Sequence, residues 1–348
     1  MNFLFPLLTT FLVSFFAIKL IKPLAIKAGL VDLPNERKIH VGAIPLTGGI
    51  SIFIGVLLTS MLFIKQSQTF NLYIISSALI LFIGVLDDKY DLSVKFRIFS
   101  QVLAASLMIF GTELYLKSLG FIFGPVEVIL GPIGVVVTTI AVIGAINAFN
   151  MVDGIDGLAG MLSLVTFSSL VFLLARAGSD WYLLPLLFIA AITAYLMFNL
   201  SWPRNLGKIF MGDAGSMLIG LTVVWLLVIG TSEGVNAFQP VTALYLIAIP
   251  LMDMTAIMYR RIRKGKSPFR ADRDHLHHIF ERAGFNRRQT LAIITAMAVF
   301  IAIAGCLAEI YSLPEWMRFL FFIIIFSCYS WAILHIWQVL SWFRFKNI

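Results

Sequence analysis

The stretch NAFNMVDGIDGLAG at 147–160 holds four side chains whose oxygen atoms could bind a metal ion. Asn147, Asn150, Asp153 and Asp156 follow one another at intervals of three residues. If the helix that precedes them continues, each side chain neighbours the next along one edge of that helix. Carboxylate and amide oxygens are the ligands that hard cations such as Mg²⁺ prefer. The alternative is that the two Asp-Gly pairs only mark a turn between two helices.

Two further acidic segments carry the same chemistry. Asp87 and Asp88 end the apolar run FIGVL, and Asp213 lies in FMGDAGS before another apolar run. A helix C-terminus already carries partial negative charge, so the acidic pair needs a counter-charge from a lysine such as Lys95 or from a metal ion. Asp213 with Asn150 could bind Mg²⁺ incompletely and leave positions for substrate phosphates. The alternatives are a solvated helix end for the pair and an ordinary N-cap for Asp213.

Histidines and arginines dominate the last long hydrophilic segment of the chain. His275, His277 and His278 stand there among five basic residues, namely Arg260, Arg261, Arg263, Arg270 and Arg273. A zinc ion would be repelled by the arginines, whereas a phosphate group suits the same mixture. A basic loop resting on anionic lipid headgroups is the alternative. Acids that bind a divalent ion and bases that bind phosphates are together what phosphoryl transfer requires.

The composition indicates which elements must position these groups. Of the 348 residues, 60% are hydrophobic and 13% are charged, and the mean hydropathy is +0.95. Because a membrane span needs about 20 apolar residues, we expect an all-α polytopic membrane protein, with residues 1–348 forming one domain. The apolar runs predict eleven helices, at approximately 3–18, 46–64, 70–86, 98–116, 128–149, 158–175, 182–200, 214–230, 240–258, 289–308 and 317–340.

The distribution of positive charge predicts the orientation of these helices in the lipid bilayer. With the N-terminus outside, 22 of the 26 Lys and Arg residues lie on the cytoplasmic side. Topology therefore explains the formal charge of +8, and no nucleic-acid partner is expected. The same orientation places every polar cluster on the cytoplasmic face. An aspartate at the centre of a membrane helix costs roughly 2.5 to 3.5 kcal/mol, so we expect the site to lie at the membrane boundary. Groups suited to phosphoryl transfer at that boundary indicate a lipid-borne phosphate as substrate.

Several motifs together resemble one known family, the polyprenyl-phosphate N-acetylhexosamine-1-phosphate transferases. The resemblance covers nearly the whole chain. It implies an eleven-helix fold, a cytoplasmic active site and dependence on Mg²⁺, with Mn²⁺ as an alternative. The motifs that carry it are VDLPNERKIHVGAIPLTGGIS, FIGVLDDKYDLSVKFR, INAFNMVDGIDGLAG, IFMGDAGS, IAIPLMDMTAIMYRRIRKGKSPF and DRDHLHHIFERAGF.

The resemblance also implies roles for the acidic residues. Asp213 looks like the principal metal ligand of the family, with Asn150 as its partner. Asp87 and Asp88 resemble the acidic pair that lies near the phosphates and is assigned to acceptor activation or metal binding. Lys95 looks like the lysine that contacts the diphosphate.

A second group of positions is matched to the nucleotide sugar. Asp153 and Asp156 match polar positions near the nucleotide, and Phe210 resembles the aromatic residue that stacks on uracil. Leu276 stands where isoleucine is usual in the family's histidine motif, an apolar exchange that changes little. The histidine motif and two basic residues of the same segment complete the expected substrate-binding set: His275, His277, His278, Arg261 and Arg263.

The activity implied by the resemblance is transfer of N-acetylglucosamine 1-phosphate from UDP-GlcNAc to undecaprenyl phosphate, with release of UMP. This would be the first membrane step of a surface polysaccharide, such as O antigen or enterobacterial common antigen, in the bacterial inner membrane. Two alternatives stay open: a sister transferase that uses another UDP-hexosamine such as UDP-MurNAc-pentapeptide, and a nucleotide-sugar transporter. A transporter should show repeats and polar residues at the bilayer midplane. Oligomeric state is also left open, with a homodimer as one alternative.

We expect a tag before Met1 to be accessible from outside the cell and a tag after Ile348 to be accessible only from the cytoplasm. This orientation keeps 22 of 26 positive side chains inside. Labelling of intact and permeabilised cells measures both positions. Two tags on the same side would contradict an odd number of spans.

Overall fold

The computed structural model describes residues 3–34, 42–268 and 275–335, and in these ranges the chain is almost entirely helical. A two-residue antiparallel pair, β1 (Val31–Asp32) with β2 (Ile44–Pro45), and two short 3-10 helices, Asp180–Tyr182 and Arg204–Leu206, accompany the α-helices. The α-helices are α1 (Leu4–Ala28), α2 (Gly48–Phe63), α3 (Gln68–Tyr90), α4 (Val94–Thr112), α5 (Ile133–Met151), α6 (Leu158–Arg176), α7 (Leu183–Asn199), α8 (Gly212–Thr231), α9 (Pro240–Leu246), α10 (Ala248–Arg263), α11 (Leu276–Arg282), α12 (Arg287–Ile310) and α13 (Glu315–Leu334).

Nine of the described helices are long and apolar enough to cross a membrane. α9 and α10 form a tenth candidate that is bent by 84°, and α2 is apolar but has only 16 residues. The prediction of an all-α, multi-pass membrane protein is therefore confirmed. Every predicted apolar run overlaps a helix, while the number of eleven spans stays a prediction that depends on α2 and on the bent pair.

The predicted helix at 240–258 is broken in the structure. α9 ends at Leu246 and α10 begins at Ala248. The physical reason is Pro250, which has no N–H for the carbonyl of Leu246 and whose ring would clash with that carbonyl in a continuous helix. The apolar composition of the run predicts its burial in the membrane but not this bend.

Helix α8 lies at the centre of the bundle and packs against α2, α3, α5 and α6. Within its apolar window 94% of the residues are buried, compared with 22% in α13 at the periphery. The close approach of α3 to α8 depends on Gly84, because a Cβ atom at this position would collide with the backbone of Ala214. Only a glycine therefore lets the last turn of α3 reach the first turn of α8.

A short backbone connection holds the entrance to α8 against the N-terminal part of the chain. Phe210 N donates to Pro45 O (2.9 Å), and Gly48 N donates to Phe210 O (3.0 Å). Leu46 and Phe210 form a parallel bridge between these two segments. The start of α8 is thus held from two directions, by α3 and by the segment that follows β2.

Replacing Gly84 by Ala is expected to lower the melting temperature in detergent, because the new methyl group overlaps the backbone of α8. Overpacking of this kind costs about 1–3 kcal/mol. Gly144→Ala is the matched control, since Gly144 also lies in a long apolar helix but a Cβ there meets only a methionine methyl group at 3.8 Å. Equal melting temperatures for the two variants would contradict the close packing of α3 on α8.

Candidate active site

A cavity of about 950 Å³ opens at the end of the bundle where α3, α5 and α7 end and α8 begins. The acidic clusters that lie far apart in the sequence meet in its wall. Of the thirteen predicted site residues, five do not line the cavity: Lys95, Arg261, Arg263, His275 and His277. The other eight line it: Asp87, Asp88, Asn150, Asp153, Asp156, Phe210, Asp213 and His278.

Asp88 caps the N-terminus of α8. Its Oδ1 accepts a hydrogen bond from Asp213 N (2.7 Å) and its Oδ2 accepts one from Ala214 N (3.2 Å). A helix begins with N–H groups that have no partner within the helix and with partial positive charge, so a carboxylate is favoured there. Gly212 has a φ of +74°, and a Cβ atom on it would collide with the Asp88 carboxylate. Both oxygen atoms of Asp88 are therefore used to hold the start of α8.

Asp87 has different partners from Asp88, although the two are adjacent in sequence. Asp87 Oδ2 lies 3.0 Å from Arg97 Nη1, and Asp87 Oδ1 accepts from Leu92 N (2.8 Å). The same Arg97 nitrogen lies 3.9 Å from Asp213 Oδ2. The counter-charge that the acidic pair needs comes from Arg97 and from the N-terminus of α8. Lys95 lies at the exposed start of α4, and its predicted contact with the diphosphate stays a prediction.

Asp213 is the second residue of α8, and its side chain does not cap that helix. Because Asp88 performs the capping, the Asp213 carboxylate faces the cavity and is 39% exposed. Asn150, next to the last residue of α5, donates from Nδ2 to Asp213 Oδ1 (2.8 Å) and to Ser216 Oγ (3.0 Å). Asp87 and Asp213 lie near each other, since the same Arg97 nitrogen is 3.0 Å from Asp87 and 3.9 Å from Asp213. The N-cap alternative for Asp213 is thereby excluded, and the predicted pairing of Asp213 with Asn150 is present.

The helix before the NAFNMVDGIDGLAG stretch does not continue through it. α5 ends at Met151, and residues 152–157 form a turn that leads into α6. Asn147 faces away from the cluster and donates to Gln101 Oε1 on α4 (2.8 Å). The row of four oxygen ligands along one helix edge is therefore absent, and the turn alternative describes this backbone, although Asp153 and Asp156 still line the cavity.

Asp153 and Asp156 have opposite electrostatic surroundings. Asp156 Oδ2 forms an ion pair with Lys208 Nζ at 2.6 Å. Asp153 opens onto the cavity but is surrounded by protein, and this loss of bulk solvent raises its pKa to about 7, with further contributions from the charges of Asp213 and Asp156.

One side of the cavity combines an aromatic ring with a positive charge. Lys208 Nζ lies 5.2 Å from the centre of the Phe210 ring, besides its contact with Asp156. Asn199 connects this segment to the acidic turn, because its Oδ1 accepts from Gly157 N (2.6 Å) and its Nδ2 donates to Ile209 O (3.0 Å). Sequence reasoning missed Lys208 and Asn199 as site residues, and the signal that could have found Lys208 is its position two residues before Phe210.

The three histidines occupy three different environments. His275 is buried, and its Nδ1 donates to Asp253 Oδ2 (2.7 Å). The ring of His277 packs against Gly154 with its Nε2 buried, and burial together with the charges of His278 and His275 lowers its pKa to about 3. His278 lines the cavity with Glu281, and burial lowers its pKa too. His277 is therefore mostly neutral near pH 7, and the role of the three histidines in substrate binding stays a prediction.

Among the arginines predicted to accompany the histidines, the described ones, Arg260, Arg261 and Arg263, do not line the cavity. Arg261 is buried and donates from Nη1 to Pro268 O (2.6 Å), while Arg263 is exposed at the end of α10. Arg270 and Arg273 lie outside the described residues. Arg287, at the start of α12, lines the cavity, and its Nε lies 3.5 Å from Glu281 Oε1. The roles of Arg261, Arg263, Arg270 and Arg273 in substrate binding stay predictions.

The acidic wall fits a divalent cation that the protein binds incompletely. In the part of the chain that the structure describes, no three His, Cys, Asp or Glu side chains converge on one ready-made metal site. However, the carboxyl groups of Asp213 and Asp87 adjoin, and Arg97 is the cation that the structure brings within 4 Å of both. Two adjacent carboxylates with an amide beside them provide the oxygen chemistry of Mg²⁺, which usually completes its coordination with water and substrate phosphates.

Comparison with known proteins gives a family match. Residues 70–231, which include Asp87, Asp88, Asp153, Asp156 and Asp213 of the cavity wall, match the model of glycosyl transferase family 4. The chain is 48% identical to a Yersinia pestis protein, over 98% of this chain and 94% of the relative, and 49% identical to one from Pasteurella multocida, over 98% and 96%. A relative from Escherichia coli strain K12 is 47% identical over 95% and 90%. All three are named undecaprenyl-phosphate alpha-N-acetylglucosaminyl 1-phosphate transferase.

The different contacts of the two adjacent acids predict different effects on stability. Asp88→Ala should lower the melting temperature in detergent, because it leaves the N–H groups of Asp213 and Ala214 without their acceptor, and loss of a cap costs about 0.5–2 kcal/mol. Asp88→Asn should lose less, since an amide oxygen still accepts one of these bonds. Lys89→Ala is the control, because Lys89 is the exposed neighbour in the same turn. A melting temperature of Asp88→Ala equal to that of the control would exclude the capping role.

Proposed function

The chain belongs to glycosyl transferase family 4 and is a relative of the undecaprenyl-phosphate alpha-N-acetylglucosaminyl 1-phosphate transferases, and we propose that it catalyses the reaction in that name. It moves N-acetylglucosamine 1-phosphate from UDP-GlcNAc to undecaprenyl phosphate. The products are UMP and undecaprenyl diphosphate-linked N-acetylglucosamine. The observation that carries the proposal is the cavity at one end of an apolar bundle, whose wall joins Asp87, Asn150 and Asp213. Such a site lets a membrane-borne phosphate meet a water-soluble nucleotide sugar.

The chemical step needs positioning more than it needs a strong base. An oxygen of the lipid phosphate attacks the phosphorus that carries the sugar, and the bond from that phosphorus to the bridging oxygen breaks, so that UMP leaves with this oxygen. A phosphate monoester has its second pKa near about 6, so most of the acceptor is already a dianion at neutral pH. Asp87 takes the last proton from the remaining monoanion or orients the acceptor. Direct displacement and a covalent aspartyl intermediate both remain consistent with this cavity.

Asp88 has a different role in the proposal from its neighbour. Both of its oxygen atoms bind the backbone of α8, so it acts on the substrates through Asp213. The ion pair of Arg97 with Asp87 keeps a positive charge beside the reacting phosphates. This charge is well placed to stabilise a diphosphate, since an arginine binds phosphate oxygens with several donors.

The nucleotide is proposed to lie on the side of the cavity formed by Phe210, Lys208, Asp153 and Asp156. Phe210 offers a ring for stacking on uracil, and Lys208 places a positive charge over that ring, 5.2 Å from its centre. Lys95, Arg261, Arg263 and the histidines stay in the proposed substrate-binding set, although among them only His278 lines the cavity. A contact from the other residues would require the bound substrate to extend beyond the cavity.

The acidic wall is proposed to hold Mg²⁺, or Mn²⁺ as an alternative, through Asp213 and Asn150. When bound, such an ion neutralises charge on the transferred phosphate group. The protein's own residues position the ligands of this ion. Asp88 binds the backbone N–H of Asp213, and Arg97 reduces the repulsion between Asp87 and Asp213.

The proposed location is the bacterial cytoplasmic membrane, with the N-terminus outside, the C-terminus inside and the cavity facing the cytoplasm, where nucleotide sugars occur. The product would begin a surface polysaccharide. A homodimer is left open. A sister transferase that uses another UDP-hexosamine is the second candidate, because the described contacts do not themselves select the sugar.

The test is UMP release by the purified protein in detergent with polyprenyl phosphate and a panel of UDP-GlcNAc, UDP-GalNAc and UDP-MurNAc-pentapeptide. UMP should appear only when UDP-GlcNAc and the lipid phosphate are both present. Chelation of divalent ions should stop the release, and added Mg²⁺ should restore it. Release with another sugar alone would favour the sister transferase, and nucleotide-sugar exchange across vesicles without UMP release would favour a transporter.

Asp213→Asn should lower the rate of UMP release by about 10²- to 10³-fold, the typical loss when one charge-stabilising group is removed from an active site. The melting temperature should change little, because an asparagine keeps the shape of the side chain. Asp180→Asn is the matched control, since Asp180 is an exposed carboxylate in the loop between α6 and α7. Wild-type turnover in Asp213→Asn would remove this residue from the reacting centre.

A further inference from the structure

A buried carboxylate outside the cavity joins three parts of the chain. Asp253 lies in α10, is 2% exposed and does not line the cavity. Its Oδ2 accepts from His275 Nδ1 (2.7 Å), and its Oδ1 accepts from Leu276 N (3.0 Å) and from Tyr329 OH (2.8 Å). Asp253 therefore connects α10 to α13 and to the beginning of α11.

Adhesion between helices does not require a carboxylate at this position. Burying a charge is costly unless it is fully hydrogen-bonded, and apolar side chains of similar size often hold two elements together as well as or better than buried ions do. The apolar neighbours of Asp253, Met252 and Ile257, already pack in the core shared by α10, α12 and α13. Asp253 instead fixes the orientation of the segment at the start of α11, because its two oxygen atoms bind the backbone N–H of Leu276 and the ring Nδ1 of His275.

The element that Asp253 fixes is α11, which is only seven residues long. Its N-cap residue, His275, makes no capping bond with its own side chain. Asp253 supplies the missing acceptor to Leu276 N, the first N–H group of α11. The Nδ1 proton of His275 points to the same carboxylate, which leaves one tautomer of the neutral ring.

The position of α11 in turn determines part of the cavity wall. The ring of His277 packs against Gly154 in the acidic turn, so closely that a Cβ atom on Gly154 would collide with it. His278 and Glu281 line the cavity on the side of that turn, with His278 Nδ1 3.3 Å from Glu281 Oε2. A continuous series of contacts thus leads from Tyr329 and Asp253 to the residues beside Asp153.

We propose that Asp253 and Tyr329 are positioning residues of the transfer reaction, which hold α11 so that its histidine face closes the nucleotide-sugar side of the cavity. The inference rests on the proposed function. It predicts that loss of either residue weakens the binding of UDP-GlcNAc and leaves the binding of polyprenyl phosphate almost unchanged. The reason is that α11 meets the cavity beside Asp153 and Gly154, whereas α3 and α4 contribute the acidic pair and Arg97.

The experiment compares Asp253→Asn and Tyr329→Phe with two matched controls at the other end of the bundle. Glu309 is likewise a hydrogen-bonded carboxylate that joins helices, with bonds from Gln239 N, Thr242 Oγ1 and Arg318 Nη1. Glu309→Gln therefore disturbs a similar network away from the cavity. Tyr245→Phe matches Tyr329→Phe, because Tyr245 OH donates to Arg318 O in the same network.

The readouts are the melting temperature, KM for each substrate and kcat of UMP release, with the affinity for UDP-GlcNAc also measured by calorimetry. Asp253→Asn should raise KM and the dissociation constant for UDP-GlcNAc by about 10- to 100-fold, the equivalent of one lost charged hydrogen bond, and Tyr329→Phe should raise them less. Asp253→Glu, which restores the charge, should recover part of the affinity. The controls should lower the melting temperature at most and keep the wild-type KM.

Two outcomes would overturn the inference. One is a wild-type KM for UDP-GlcNAc in Asp253→Asn, and the other is an equal rise of KM in Glu309→Gln, which would indicate a general effect of destabilisation. Failure of the proposed function is distinguishable from both, because the wild-type protein itself would then release no UMP from UDP-GlcNAc and polyprenyl phosphate.

Discussion

The contact between the Asp88 carboxylate and the first N–H groups of α8 is the interaction on which the cavity depends. It places the end of one membrane helix against the beginning of another, a pairing in which the partial charges of the two partners are opposite. The absence of a side chain at Gly84 lets α3 come close enough for this contact. Because the cap comes from another helix, the carboxylate of Asp213 is free to face the cavity.

Charge at this end of the bundle is balanced by pairs contributed by different elements. Arg97 of α4 meets Asp87 of α3, and Lys208 meets Asp156 of the turn before α6. Asp153 has no such partner among the described contacts, and the surrounding protein together with the charges of Asp213 and Asp156 raises its pKa. The arrangement leaves negative charge on one wall and a positive, aromatic surface on another, as a nucleotide diphosphate with a bound divalent cation requires.

Two carboxylates hold the bent pair of helices α9 and α10, Glu309 at the start of α9 and Asp253 within α10. Glu309 binds the start of α9 and Arg318 of α13, while Asp253 of α10 binds Tyr329 of α13 and the start of α11. Helix ends expose backbone groups that hydrocarbon cannot satisfy, and Glu309 accepts from Gln239 N at the start of α9. The two networks differ in their distance from the cavity: Asp253 contacts the histidine segment of the proposed active site, whereas Glu309 does not line the cavity.

Apolar runs suffice to predict the all-α membrane fold, because insertion into a bilayer depends on composition. Residue types suffice to predict the acidic clusters and the pairing of Asp213 with Asn150, because the chemistry of oxygen ligands depends on which side chains are present. Partners from distant parts of the chain could not be predicted in this way. The cap that Asp88 provides for α8 joins residues 125 positions apart, and the choice of Arg97 over Lys95 depends on which side of α4 faces α3. Asn147, predicted to belong with the acids, turns to Gln101 instead. Tertiary packing alone decided these contacts, because the free energy of a buried charge depends on the groups that surround it in space.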